Sequence, residues 1–525
     1  MSINPLQALN IATIPHDEKD ITSVLNQVQY AEATCQDIYD KLTQRTKNLA
    51  DEILEVEFSW RVRVGGMRGF RELLLPVFHP VYGVPYFPSS SLKGAILAQA
   101  KINAKKEEIS LQEVKEMLGD IDDGIGTVQI LDAFPTSPCL SVDMANPQWT
   151  WNNENKVKYD PKPHALLSME YPEVVIGLVS TSKGKHHNQS QINDDLQTVK
   201  IWLEKALMGG IGSRVSAGYG RTSVNSNLPH SCEYSFRFYS QGIYGADTNY
   251  REFRPIALRG MLRYWFRAIA LGLYDTERAK KFENELFGGL SQEGSFRLGI
   301  NLEDEKEGSK KKPYFCEGKI LLETKTEKHL KVMENVLYLA SHLGGFGRGS
   351  RRPLHWNNNR LRGCSWQLSD YILPYSQPQW ETFIEDVFDS FRAVYSETKP
   401  DNHSPGNSHN RYQDVLNENA SIYLIPSKNL EYPNSVNYSQ DGYKDYVIGA
   451  GLQLLYSSDH YKGKNREGRG NSNVGGTLGT PSFVWIQSNY PDQDTPYQAV
   501  TIFGINHSDR SAFASALSPK SIQVW

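Results

Sequence analysis

The sequence predicts an α+β protein in which one plan of strands and helices is used twice, in tandem. Two observations predict it. The stretch EVEFSWRVRVGG places Val56, Phe58, Trp60, Val62 and Val64 at alternate positions and closes on a glycine pair, which is strand periodicity. Short motifs then recur in one order along the chain. Leu92-Lys93-Gly94 and Leu258-Arg259-Gly260 each open a helical pattern, and Gly209-Gly210-Ile211-Gly212 and Gly344-Gly345-Phe346-Gly347 each end one. Chance repetition of short strings is the alternative, and the shared order and context argue against it.

Residues 1–54 read as a helical segment, with Val24, Leu25, Val28, Ala31, Ile38 and Leu42 at helical spacing. After the first strand, Pro88 and a serine run cap a helix whose apolar stripe is Leu92, Ile96 and Leu97. TVKIWLEKALM is a second helix that runs into GGIGSRVSAGYGR. A polar linker, residues 225–231, separates this first domain (55–224) from a second (232–525). There EYSFRFYS reads as a strand, RPIALRGMLRYWFRAIA as a helix, and HLKVMENVLYLASHL as a helix entering GGFGRGSRR. SKGKHHNQSQINDD, EDEKEGSKKK and DNHSPGNSHN are polar insertions expected to be solvated. They hold His186, His187, His403 and His409 without the carboxylate or thiol framework of a metal site, and no metal or cofactor is expected. Residues 370–525 gain no function from this reading.

With 525 residues, 39% hydrophobic and 22% charged, the chain exceeds one ordinary core. A net charge of -4 excludes a global basic field, so any polyanion must meet a local patch. Five scattered cysteines form no CxxC pair, which fits a reducing compartment. No run approaches a membrane span and the first residues lack a signal pattern, so a soluble cytoplasmic protein with no membrane partner is expected.

The glycine loops lack the Lys-Ser/Thr ending of a Walker loop, and both follow a helix, unlike a dinucleotide fingerprint. Their arginines are the informative part. Arg214 and Arg221 flank Gly210 and Gly212; Arg348, Arg351 and Arg352 follow Gly345 and Gly347, with Arg360 and Arg362 beyond and no acid between Gly344 and Gly363. A glycine helix cap explains one glycine in each loop. Arg259, Arg263 and Arg267 form a stripe beginning after Arg254, with no acid between Phe253 and Leu273. A row of guanidiniums suits successive phosphates; a solvated face, or pairing with a carboxylate distant in sequence, is the alternative. Ser89, Ser90, Ser91 and Lys93 at a helix N-terminus offer a phosphate seat, or plain capping. YKGKNREGRG (461–470) is expected to be a flexible basic arm. Tyr82, Tyr86, Tyr219, Tyr244, Tyr250, Trp356 and Trp366 lie near these patches and offer base stacking, although most aromatics are core. Catalysis has little support: Asp247 in a glycine-flanked loop, and His342 and His355 around the second loop, are the residues a nuclease would need, while Asp132 and Asp143 read as turn formers.

These motifs resemble the RAMP proteins of CRISPR type III effector complexes. In the first half, HPVYGVPYFPSSSLKG, GTVQILDAFPTSPCLSVDMANPQW and LMGGIGSRVSAGYGR look like the sixth subunit of the Cmr (type III-B) complex. In the second, GADTNYREFRPIALRGMLRYWFRA, ELFGG with SFRLGI, and GGFGRGSRR look like the first Cmr subunit. The resemblance implies two tandem RAMP domains with ferredoxin-like (RRM-like) cores plus helical and loop insertions. It implies a subunit without a nuclease centre that caps the backbone filament and holds the 3′ part of the guide RNA and the guide–target duplex. Its partners would be guide RNA, target RNA, the backbone RAMP subunit and the small helical subunit. The family's cleavage aspartate belongs to the backbone subunit, and the matching stretch here, MRGFRE, has none. One departure is Ser89, where the family has glycine.

Overall fold

The computed structural model describes residues 3–12, 18–65, 73–103, 110–120, 124–152, 154–223, 226, 228–243, 245–247, 251–289, 292–309, 311–357, 360–428, 430–436, 444–492 and 494–525. The chain divides into two compact units. The first comprises 1–146, 163–228 and 245–247, and the second 147–162, 229–244 and 248–525.

In the first unit, strand Glu52–Glu57 pairs antiparallel with Glu173–Ser180, which pairs on its other side with Val128–Ile130. Helices Ser89–Asn103 and Gln189–Gly209 pack on one another. Strand 1, helix, strand 2, strand 3, helix is the ferredoxin-like order without its last strand. The glycine loop instead bonds along residues 59–63, where the chain leaves strand Glu52–Glu57 and enters the second sheet. Ser59 N–H donates to Arg221 O (2.9 Å), Gly220 N–H to Arg61 O (2.8 Å) and Ser213 N–H to Arg63 O (2.9 Å). A second sheet, Arg61–Val62, His164–Glu170 and Leu140–Ala145, lies under helix Glu18–Glu32. Glu32 ties them together, accepting from the N–H groups of Cys139 (3.0 Å) and Leu140 (2.6 Å) and from the Tyr39 hydroxyl.

The second unit holds a complete βαββαβ core. Strands His230–Ser240, Phe296–Lys306, Tyr314–Thr324 and Cys364–Leu368 form an antiparallel sheet in spatial order 2-3-1-4, and the helices between them are Pro255–Leu273, followed by Thr276–Phe287, and Glu327–Leu343. Ala420–Pro426, Lys444–Tyr456, Val484–Asn489, Tyr497–Phe503, Ser508–Leu517 and Ile522–Gln523 then repeat the same order of strands and helices, with the same 2-3-1-4 sheet. The C-terminal region, given no organisation by the sequence reading, is thus a second ferredoxin-like core. Helix Glu327–Leu343 packs against both sheets, and Trp265, Trp485 and Phe503 share one buried cluster. The unit also includes the hairpin Trp149–Trp151 and Val157–Tyr159.

The repeated motifs occupy equivalent places. Leu92-Lys93-Gly94 and Leu258-Arg259-Gly260 are each the fourth to sixth residues of the first helix of their core. Both glycine loops follow the second helix.

Candidate nucleic-acid interface

In the first unit the candidate residues meet at one cleft of about 610 Å³. It is lined by Ser91, Gly94, Ala95 and Ala98 from the helix and by Gly210, Gly212 and Ser213 from the glycine loop. Gly212 has φ +85°, and a Cβ there would lie 2.4 Å from the Arg63 carbonyl oxygen, so the loop's packing requires glycine. Gly94 is different. It is exposed, inside a helix, and a Cβ there would meet nothing within 4 Å. Gly260, its counterpart, is also exposed and also meets nothing. A helical glycine costs about 1 kcal/mol relative to alanine, and neither position recovers that inside the fold. The space over both helices suits close approach by another molecule.

The remaining seats of the first unit are partly engaged internally. Ser89 N–H donates to Asp132 Oδ1 at 2.7 Å, so Asp132 caps this helix rather than forming a turn. Lys93 Nζ donates to the Leu118 carbonyl at 3.0 Å and to Gly119 O, closing the end of helix Leu111–Leu118. Ser90 is exposed and Ser91 half-exposed. Arg214 is half-exposed in the left-handed region (φ 64°), with its guanidinium 5.9 Å from the Tyr219 ring. Arg221 is buried, its Nε donating to Met208 O at 3.0 Å.

The arginine stripe of the second unit is neutralised from outside its own helix. Glu283, on helix Thr276–Phe287 and fully buried, accepts from Arg263 Nε (2.7 Å), Arg267 Nη2 (2.8 Å) and Trp151 Nε1 (3.2 Å). Burial alone would raise its carboxyl, but Arg267 and Arg263 outweigh burial and hold it down to about 2. Arg267 also donates to the Trp149 carbonyl at 3.1 Å. The alternative of a distant carboxylate therefore holds for two of the three arginines. Arg259 donates to Phe287 O at 3.0 Å and lies 5.2 Å from the Phe287 ring. Arg254 is buried against Glu252.

The second glycine loop is likewise built into the unit. A Cβ on Gly345 would fall 2.0 Å from Cys364 Sγ, and one on Gly347 2.9 Å from Ile243 Cγ1. Arg351 pairs with fully buried Asp414 (3.0 Å) and stands 4.3 Å over the Trp485 ring. Arg352 donates to Val484 O (2.6 Å) and Ser482 Oγ (2.9 Å). These two arginines fasten the first core of the unit to the second, whereas Arg348 is exposed.

Of the stacking candidates, Tyr219 and Trp366 are core: Tyr219 hydrogen-bonds Asp143, and Trp366 Nε1 donates to Gly344 O at 2.7 Å. Tyr82 and Tyr86 pack beside His79 and Phe134, and Trp356 is half-buried. Tyr244, Tyr250 and the MRGFRE stretch lie outside the described residues. Asp247 is exposed. His342 is buried with both nitrogens engaged: Nδ1–H donates to Tyr338 O (2.7 Å) and Nε2 accepts from Leu373 N–H (2.9 Å). His355 is the same, with Pro353 O (2.8 Å) and the Tyr456 hydroxyl (3.1 Å). Burial pushes both imidazoles down to about 4. Each ring is a neutral structural group with no nitrogen left for a substrate.

Glu283, Asp414 and the meaning of Gly94 and Gly260 did not stand out in the sequence. The signal for the glycines was present in the repeated motifs: a glycine inside a helix at the same position twice.

A family model described as the RAMP superfamily matches residues 55–223 and 242–352, together more than half of the chain. The CRISPR system Cmr subunit Cmr1-2 of Pyrococcus furiosus is 33% identical over 67 residues, which span 12% of this chain and 36% of that protein. Among solved structures, apo Cmr1 from Pyrococcus furiosus aligns over 56% of this chain and 99% of its own, at 14% identity and TM-score 0.35. Cmr6 from Pyrococcus furiosus aligns over 32% of this chain and 96% of its own, at 19% identity and TM-score 0.20.

Proposed function

Because the chain belongs to the RAMP superfamily, we propose that it is a non-catalytic, guide-RNA-binding subunit of a type III CRISPR effector complex. In this reading a half like the sixth Cmr subunit and a half like the first are joined in one chain. Linking two neighbours fixes their stoichiometry and raises their effective concentration. The chain caps the backbone filament and holds the 3′ part of the guide RNA and the guide–target duplex. The backbone RAMP subunit and the small helical subunit are its protein partners. It works without a cofactor, in the cytoplasm.

The observation that carries this reading is the pair Gly94 and Gly260, exposed helical glycines at the same position of equivalent helices with open space above them. A phosphodiester backbone passing close to a helix near its N-terminus needs such a place and gains from the helix dipole. In this reading Ser90, Ser91, Gly210, Gly212, Arg214, Arg259, Gly347 and Arg348 contact RNA phosphates, and Lys93, Arg221, Arg254, Arg263, Arg267, Gly345, Arg351 and Arg352 hold the fold around those contacts. Contacts to backbone rather than base edges suit a binder that must accept any spacer.

Binding of single-stranded RNA, followed by anisotropy over a salt series, tests this. The expected slope of log affinity against log salt is about −0.7 per phosphate neutralised, with little dependence on base sequence. Incubation of labelled target and guide precursor with Mg²⁺ should give no cuts. A flat salt response, or metal-dependent cuts abolished by Asp247→Ala, would replace this reading with that of an RNA endonuclease.

A further inference from the structure

The basic stretch 461–470 lies in the connection between helix Lys444–Tyr456 and strand Val484–Asn489 of the C-terminal core. The structure shows a folded finger here rather than the loose arm expected from its glycines. Asn471 N–H donates to Lys462 O (2.8 Å), Lys464 N–H to Gly476 O (2.8 Å) and Asn465 N–H to Arg469 O (2.8 Å). The two arms press together through glycines, since a Cβ on Gly475 would lie 2.1 Å from Gly463 N. The base is anchored: Asn473 Oδ1 accepts from Ser408 N–H (3.0 Å), and Asn473 O accepts from Nε of buried Arg510 (2.9 Å).

The side chains that this framework carries outward are mostly cations. Lys464, Arg466 and Arg469 are exposed, Lys462 pairs with Asp459 at 2.6 Å, and Glu467 is the one acid between Lys462 and Arg469. Lys464 is bridged to Thr477, and the next residue on that arm, Leu478, is 83% exposed. A chain of net charge -4 has concentrated positive charge on a stem made rigid by backbone bonds. Cations next to one exposed apolar side chain match single-stranded nucleic acid, which offers phosphates and unstacked base faces together. An acidic protein surface would use the cations and leave Leu478 without a role.

We propose that the finger 457–481 is a further contact for single-stranded RNA, taking phosphates with Lys464, Arg466 and Arg469 and an unpaired base on Leu478. It rests on the RNA-binding reading and extends it to a core that the sequence analysis left without function.

The test uses the full chain, a labelled oligouridine and the variant Lys464→Ala/Arg466→Ala/Arg469→Ala. The expected result is a salt slope smaller by about 2, at about 0.7 for each of three phosphates, with affinity at least about tenfold weaker at low salt. Leu478→Ser should weaken binding and leave the slope unchanged. The altered side chains are exposed, so melting should not move; if the alanine variant melts lower, the glutamine triple variant is read in its place. A variant with wild-type slope and affinity overturns the finger and leaves the RNA reading standing. Absence of RNA binding by the wild-type chain removes both. Competition by polyglutamate as effective as by RNA overturns the proposal in favour of an acidic protein partner.

Discussion

Glu283→Ala should lower the unfolding free energy of the second unit by about 3–5 kcal/mol, read from chemical denaturation followed by tryptophan fluorescence. The carboxylate is fully buried and is the acid that faces both Arg263 and Arg267. Its removal leaves two guanidiniums, one of them itself buried, without their counter-charge. Trp151 loses its acceptor as well. The penalty comes from stranded charge rather than from the net worth of the pair, so replacing all three charged groups with apolar side chains of similar size should restore most of the stability. If Glu283→Ala unfolds like the wild type, the arginine stripe is held by something else. Arg263→Ala, Arg267→Ala, Arg351→Ala and Arg352→Ala should disturb the fold first, and loss of RNA affinity is better read from Arg348→Ala, at an exposed position.

Acid should destabilise the second unit well before its carboxylates protonate. His342 and His355 titrate near 4 in the folded chain, below the ordinary histidine value of about 6.5. Between those values the unfolded chain binds protons that the folded rings refuse. The stability they contribute is therefore complete above about pH 6.5 and is lost as pH falls through the folded value. Each ring can remove up to about 3 kcal/mol, at about 1.4 kcal/mol per pKa unit. The melting temperature of the second unit should fall across this window. His342→Gln/His355→Gln, though less stable at neutral pH, should show a flatter pH dependence. An unchanged slope in that variant would mean that the rings are not the titrating groups.

Much of the fold could be read from local pattern. The alternation from Val56 to Val64 marked extended chain, although the structure divides it between strand Glu52–Glu57 of one sheet and Arg61–Val62 of another, with Arg61 and Arg63 buried beside Trp60, Val62 and Val64. The motif Leu-Lys/Arg-Gly marked the first helix of both halves because those helices hold the same place in their cores. The C-terminal core escaped for the opposite reason. Its strands Ala420–Pro426, Val484–Asn489 and Tyr497–Phe503 are buried along almost their whole length, so they show no alternation. The site was legible as residue types and not as roles. Sequence shows that no acid stands between Phe253 and Leu273; it does not show that Glu283 returns on the next helix to meet them. Arg351 looked like a phosphate ligand because Asp414, its partner, lies 63 positions away. The glycines reversed their meaning: those in the loops are demanded by packing, and Gly94 and Gly260 are the ones the fold does not explain.

The most direct measurement pairs melting with RNA affinity for Gly94→Ala/Gly260→Ala. The variant should be more stable by about 0.5–1 kcal/mol per site, because alanine is the better helix former in both places. It should also bind single-stranded RNA more weakly, more so in Gly94→Leu/Gly260→Leu, because the added side chain fills the space that an RNA backbone would approach. Stabilised variants that bind RNA as tightly as the wild type would contradict this reading.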